Sequence, residues 1–126
     1  MAKKPEEWLK QADYDFETAG TLFKGGRYIY AVFMCHLSIE KALKGLYRKK
    51  TGVEPPKIHD LFFLLGSTVP DPPDDMRGFI QDLSRASVPT RYPDDLDRMK
   101  KHYTKEVTRD VMKHTGEVLE WLRKMY

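Results

Sequence analysis

Ala31-Val32-Phe33-Met34-Cys35-His36-Leu37-Ser38-Ile39-Glu40-Lys41-Ala42-Leu43-Lys44-Gly45-Leu46-Tyr47 is the stretch that decides the fold. A strand would alternate apolar and polar residues in twos, and no segment of this chain sustains that. Ala31, Cys35, Leu37, Ala42, Leu43 and Leu46 instead supply the buried positions of a helix predicted from about Tyr28 to Lys49. Thr51-Gly52-Val53-Glu54-Pro55-Pro56 ends it in a loop.

Upstream, Trp8, Ala12, Phe16, Ala19 and Phe23, with Leu9 and Leu22, recur at helical spacing and predict a helix from Pro5 to Lys24. Pro5 suits a first helical position, and Glu6 and Glu7 suit its positive end. Gly25-Gly26-Arg27 is short enough to fold the first two helices into an antiparallel hairpin. Downstream, a short helix is predicted over about Asp60 to Leu65, closed by Gly66, and another over Asp74 to Arg85. Ser87 to Asp95 reads as irregular because of its prolines and acids. A last helix is predicted from about Thr104 to Met125, with Thr104 as N-cap and Val107, Val111, Val118, Leu122 and Met125 as its stripe. On that stripe His114 is expected to face the core or a dimer seam. The sum is an all-α, up-and-down bundle of four to five helices in one domain over residues 1–126.

Composition narrows the class. Charged residues make up 33 % and hydrophobic residues 40 %, as expected for a globular chain of amphipathic helices. The net charge of +3 is too mild to argue nucleic-acid binding from totals, so any basic patch must be local. Cys35 is the one cysteine and cannot form an intrachain disulfide. The start Met1-Ala2-Lys3-Lys4-Pro5 lacks the apolar run of a signal peptide, and no stretch approaches the roughly 18 apolar residues of a membrane span. A cytoplasmic protein with no membrane partner is the expectation.

Several chemistries lack their motifs. There is no Gly-x-Gly-x-x-Gly, no Walker loop, no Cys-x-x-Cys, no His-Glu-x-x-His and no Gly-x-Ser-x-Gly. No cofactor and no metal site are expected.

Three motifs stand in order: Ser38-Ile39-Glu40-Lys41-Ala42-Leu43-Lys44, then Ile58-His59-Asp60-Leu61, then Thr90-Arg91-Tyr92-Pro93-Asp94. This order resembles the HEPN domain family (higher eukaryotes and prokaryotes nucleotide-binding) over nearly the whole chain. The resemblance implies a helical bundle of four or five helices that often dimerises. It implies a nucleotide or RNA ligand, and a minimal nucleotidyltransferase as partner protein, in some cases as toxin and antitoxin. Other members are metal-independent ribonucleases using an Arg-x(4–6)-His pair completed across a dimer.

That pair does not map cleanly. Arg91 is the matching arginine, but residues 96–98 are Leu96, Asp97 and Arg98, and His102 falls outside the spacing. Arg109 and His114 fit the spacing and are the candidate catalytic pair. Five positions apart in one helix, they point about 140° from each other, so only dimer contacts could bring them together. Histidine would serve as acid or base and arginine would neutralise phosphate charge.

The candidate ligand-binding residues are Lys41, Lys44, His59, Arg91 and Tyr92. Lys41, Lys44 and Arg48 share a helix face, read as a phosphate-contacting stripe or as a solvated face with Glu40 and Lys44 paired. His59 reads as packing beside a capping Asp60, or as lining a cleft opposite Arg91. Tyr92 could stack on a base while Arg91 holds a phosphate; alternatively Tyr92 packs on the bundle and Arg91 pairs with Asp94 or Asp95. His36 and Glu40 read as a structural i, i+4 pair. Three functions stay open: a binding module, a dimeric ribonuclease, and a non-catalytic oligomerising scaffold.

Overall fold

In the computed structural model, which describes residues 3–126, seven helical segments follow one another: α1 (Pro5–Lys24), α2 (Tyr28–Thr51), α3 (Leu61–Thr68), α4 (Asp74–Arg85), α5 (Ser87–Arg91), α6 (Leu96–His102) and α7 (Lys105–Arg123). Met1 and Ala2, the first residues of the start read above, lie outside the described residues. No strand occurs among the described residues, as the absence of period-two patterning requires. No described helix is long and apolar enough to cross a membrane.

α2 is the central element. It packs against α1, α3, α5 and α7, while α4 closes on α3 and α5. Its buried side chains Val32, Ile39, Leu43 and Leu46 meet Ala12 of α1, Leu61, Leu64 and Leu65 of α3, Ile80 and Leu83 of α4, and Val118, Leu119 and Leu122 of α7 in one core. The α1–α2 hairpin turns on Gly26, whose φ of 76° is costly for any residue with a β-carbon. Arg27 N–H then donates back to the Leu22 carbonyl at 2.8 Å.

The chain ends converge on α2 at Gly45. A β-carbon there would stand 2.6 Å from the Trp8 Cβ and 3.0 Å from the Pro5 carbonyl oxygen. The Tyr126 hydroxyl donates to the Ala42 carbonyl one turn earlier, and burial pushes that phenol's pKa up. Only glycine allows this approach. Gly45→Ala is therefore expected to cost about 2 kcal/mol through overpacking, read as a lower urea midpoint at unchanged slope.

Four sequence expectations change. The stretch from Ser87 is not wholly irregular: α5 follows α4 through Ala86 in helical conformation. Pro89 sits in its first turn, where no N–H is needed, and the Thr90 hydroxyl donates to the Ala86 carbonyl at 2.6 Å. A second extra helix, α6, buries nothing, so it has no apolar stripe to betray it. It rests on end effects: Asp95 caps Arg98 N–H at 3.1 Å, and Lys100, Lys101 and His102 complement its C-terminal dipole. α3 does not stop at Gly66 but runs to Thr68, whose hydroxyl donates to the Leu64 carbonyl at 2.8 Å. Finally, α7 keeps Val111, Val118, Leu122 and Met125 of its expected stripe against the core but not Val107 or His114. Thr108 and Thr115 are buried with Val118, Leu119 and Leu122, while Val107 and His114 are exposed.

Candidate functional site

His36, Glu40 and Lys44 recur every four residues on α2 and so form one stripe. With Ile39 and Leu43 beside them in the core, that stripe faces inward; the three residues are 1 %, 4 % and 7 % exposed. Buried charge is tolerated only when paired, and Glu40 is the hub. Its Oε2 accepts from Lys44 Nζ at 3.0 Å and from His59 Nδ1 at 3.0 Å. His59 Nδ1 is also 3.1 Å from Oε1, and His36 Nδ1 is 3.7 Å from Oε1. A carboxylate only accepts, so the His59 Nδ1 carries the proton. Nε2 remains as the second polar atom of a side chain that is 56 % exposed.

The loop before α3 is held by its own cap. Asp60 Oδ1 accepts from Phe62 N–H at 3.0 Å and Phe63 N–H at 3.1 Å, and the Leu61 N–H donates to Ser84 Oγ of α4 at 3.0 Å. The Asp60 cap of the capping reading is present, and the His59 beside it packs against Glu40 of α2.

α5 brings Arg91 to the same place. Its guanidinium lies over the Phe33 ring of α2, 4.7 Å from the centroid. Its charge is felt by His36, whose pKa is lowered to about 4. Burial is the main cause, and the charges of His59 and Arg91 add to it; Glu40 and the His59 backbone pull the other way. Both His36 ring nitrogens lack a hydrogen-bond partner. Tyr92, the next residue after α5, is 70 % exposed.

Lys44 and His59 therefore meet at Glu40 beside His36, with Arg91 near enough for its charge to act on His36 and Tyr92 next to it in the chain. Lys41 does not join them: its Nζ pairs with Asp15 of α1 at 2.8 Å. Lys41 and Lys44 thus form no common solvated stripe. Arg109 and His114 stand apart on α7. Both are exposed; His114 Nδ1 is 3.1 Å from Glu117 Oε1, and its ring lies 5.4 Å from Phe79 of α4.

The residues missed in the sequence are His36 and Glu40 as the centre of a network. The signal was a His-x3-Glu-x3-Lys ladder flanked by apolar neighbours, which turns its charges inward. Among the described residues, no group of His, Cys, Asp and Glu is arranged to hold a metal ion. At Glu40 the ammonium of Lys44 already occupies the carboxylate. What the arrangement offers at its rim is the Arg91 guanidinium as donor to an anionic oxygen, the outer His59 Nε2 as an acceptor in this tautomer, and an exposed tyrosine ring next to Arg91 in the chain.

A model of the HEPN domain matches residues 5–125. The crystal structure of TT1696 from Thermus thermophilus is similar to this chain, with a TM-score of 0.83 and 25 % identity, covering 97 % of this chain and 98 % of that one. The crystal structure of ST0689, an archaeal HEPN homologue, superposes with a TM-score of 0.77 at 28 % identity, covering 98 % of this chain and 99 % of that one. No curated protein matches the chain.

Proposed function

Because the chain belongs to the HEPN domain family, we propose that it is a binding module for a nucleotide or nucleic acid, working as a homodimer beside a nucleotidyltransferase partner. The observation that supports this reading is the pairing of a buried, fully engaged carboxylate with a rim of His59, Arg91 and Tyr92. Glu40 holds the imidazole in one tautomer and costs the ligand no reorganisation. Arg91, stacked on Phe33, offers its donors to a phosphate, and Tyr92 offers a ring face to a base.

Calorimetric titration with a nucleotide panel and a short single-stranded RNA tests it. Arg91→Ala and Tyr92→Ala are each expected to weaken binding about tenfold, the value of one charge-assisted bond or one stacked base. A pull-down with the candidate nucleotidyltransferase tests the partner. Wild-type protein that takes up no nucleotide, no RNA and no such partner at micromolar concentration contradicts the proposal.

No observation favours the ribonuclease reading at Arg109 and His114. Their side chains diverge on one helix, and His114 is engaged by Glu117. His114→Ala is expected to leave RNA cleavage in chelator unchanged from wild type. A loss of cleavage in that variant alone would restore the pair as a catalytic site.

A further inference from the structure

At the N-terminal end of α2, a slot of about 280 Å³ opens between the α1–α2 turn and the α6–α7 junction. Tyr28, Tyr30 and Tyr103 line it with Leu96, and Arg27 and Lys100 reach it from two different elements. None of these residues belongs to the Glu40 cluster.

The charges here are unlike those on the buried stripe. There, each charge has a partner. Here, neither Arg27 nor Lys100 is paired with a carboxylate among the described residues, and no acidic residue lines the slot. Two like charges at one largely apolar opening repel until an anion joins them. The α2 end adds to the same field: Arg27 stands at its cap position, no side chain caps it, and its first turn holds no acid.

The walls set the rest of the ligand. Three tyrosines favour a flat ring, stacked or edge-on. The volume lies just below the roughly 300–1,000 Å³ of sites for drug-sized ligands, which leaves room for one ring system and one anionic group. We propose that this slot binds a small planar aromatic anion, with its ring among the tyrosines and its carboxylate or phosphate between Arg27 and Lys100. A free aromatic acid and a nucleoside monophosphate share that chemistry.

Calorimetric titration of the full chain with phenyl phosphate, inorganic phosphate and phenol tests the proposal. Phenyl phosphate is expected to saturate with a Kd below about 1 mM, and the anion alone or the ring alone to bind at least about tenfold more weakly. Arg27→Gln and Lys100→Gln should each weaken phenyl phosphate about tenfold. Both side chains are exposed, so folding should be unaffected, and thermal melting checks this. In an Arg91→Ala background, where the rim is disabled, phenyl phosphate should still saturate and should still be weakened by Arg27→Gln and Lys100→Gln, which separates this slot from the rim at Arg91. Adenosine monophosphate binding more tightly than benzoate would support a nucleotide as occupant, and the reverse a free aromatic acid. Inorganic phosphate binding as tightly as phenyl phosphate, no saturable binding of any probe, or indifference to both Gln variants overturns the proposal.

Discussion

Glu40→Gln is expected to lower the unfolding free energy by about 3 kcal/mol. The substitution keeps the shape of the side chain and removes its charge. It leaves Lys44, 7 % exposed, with a buried ammonium and no counter-charge. Removing one member of a buried pair costs about 3–5 kcal/mol, because the survivor keeps its desolvation penalty. The lower figure applies here because His59, half-open to water, recovers its solvation when released. The converse follows from the same physics: Glu40→Leu with Lys44→Met removes both charges and is expected to regain more than half of the loss. Urea unfolding at pH 7 of the three proteins measures both effects. A Glu40→Gln variant within about 0.5 kcal/mol of wild type would mean that Glu40 is not the hub of a desolvated network.

Acid is expected to cost about 3 kcal/mol of stability through His36 alone. Its folded pKa is lowered to about 4 from an ordinary 6.5. Between those values the unfolded chain binds the proton and the folded chain does not, so protons favour unfolding. The contribution is fully present above about pH 6.5 and is lost as pH falls toward 4; the shift corresponds to the stated magnitude. Glu40, His59 and Arg91 are the charged or titratable groups that act on this ring, and burial outweighs them in favour of its neutral form. His36→Phe removes the titration and the two unpartnered nitrogens together. Stability measured for both proteins at a series of pH values should give a difference curve that is flat above about pH 7 and swings toward the variant below about 6.5. Parallel curves across that window would contradict it.

Much of this was legible in the sequence because strong local rules agreed. α1 and α4 have the bounds that Pro5 and Gly25, or Asp74 and Arg85, mark. Thr104 caps α7 through Val107 N–H at 3.2 Å, as its position before an amphipathic run suggests. α5 and α6 were not legible, because neither is held by an apolar stripe. Thr90 back-bonding and Asp95 capping hold them instead, and such signals compete poorly with proline and aspartate when read locally. The burial of Thr108 and Thr115 in α7 and the exposure of Val107 were hidden for a similar reason: the threonines look polar, and Val107 looks like core.

The candidate site divides along the same line. The order of motifs pointed to Lys44, His59 and Arg91; the fold brings Lys44 and His59 to the Glu40 carboxylate and Arg91 over Phe33, within reach of His36. Lys41 shows the limit of helical spacing alone. One residue from Glu40, it points about 100° away and ends at Asp15 of α1. Nothing local in α2 marks that partner, which lies on a different helix. Glu40 itself was readable only by noticing that Ile39 and Leu43, its neighbours on the helix face, are core residues.

The central claim is that ligands meet this chain at the rim built on Glu40. Its most direct test is a two-dimensional NMR titration of the assigned protein with a nucleotide panel and a short single-stranded RNA. The account predicts shifts that saturate at His59, Arg91 and Tyr92 and leave Arg109 and His114 unmoved. Saturating shifts at Arg109 and His114, with none around Glu40, would contradict it.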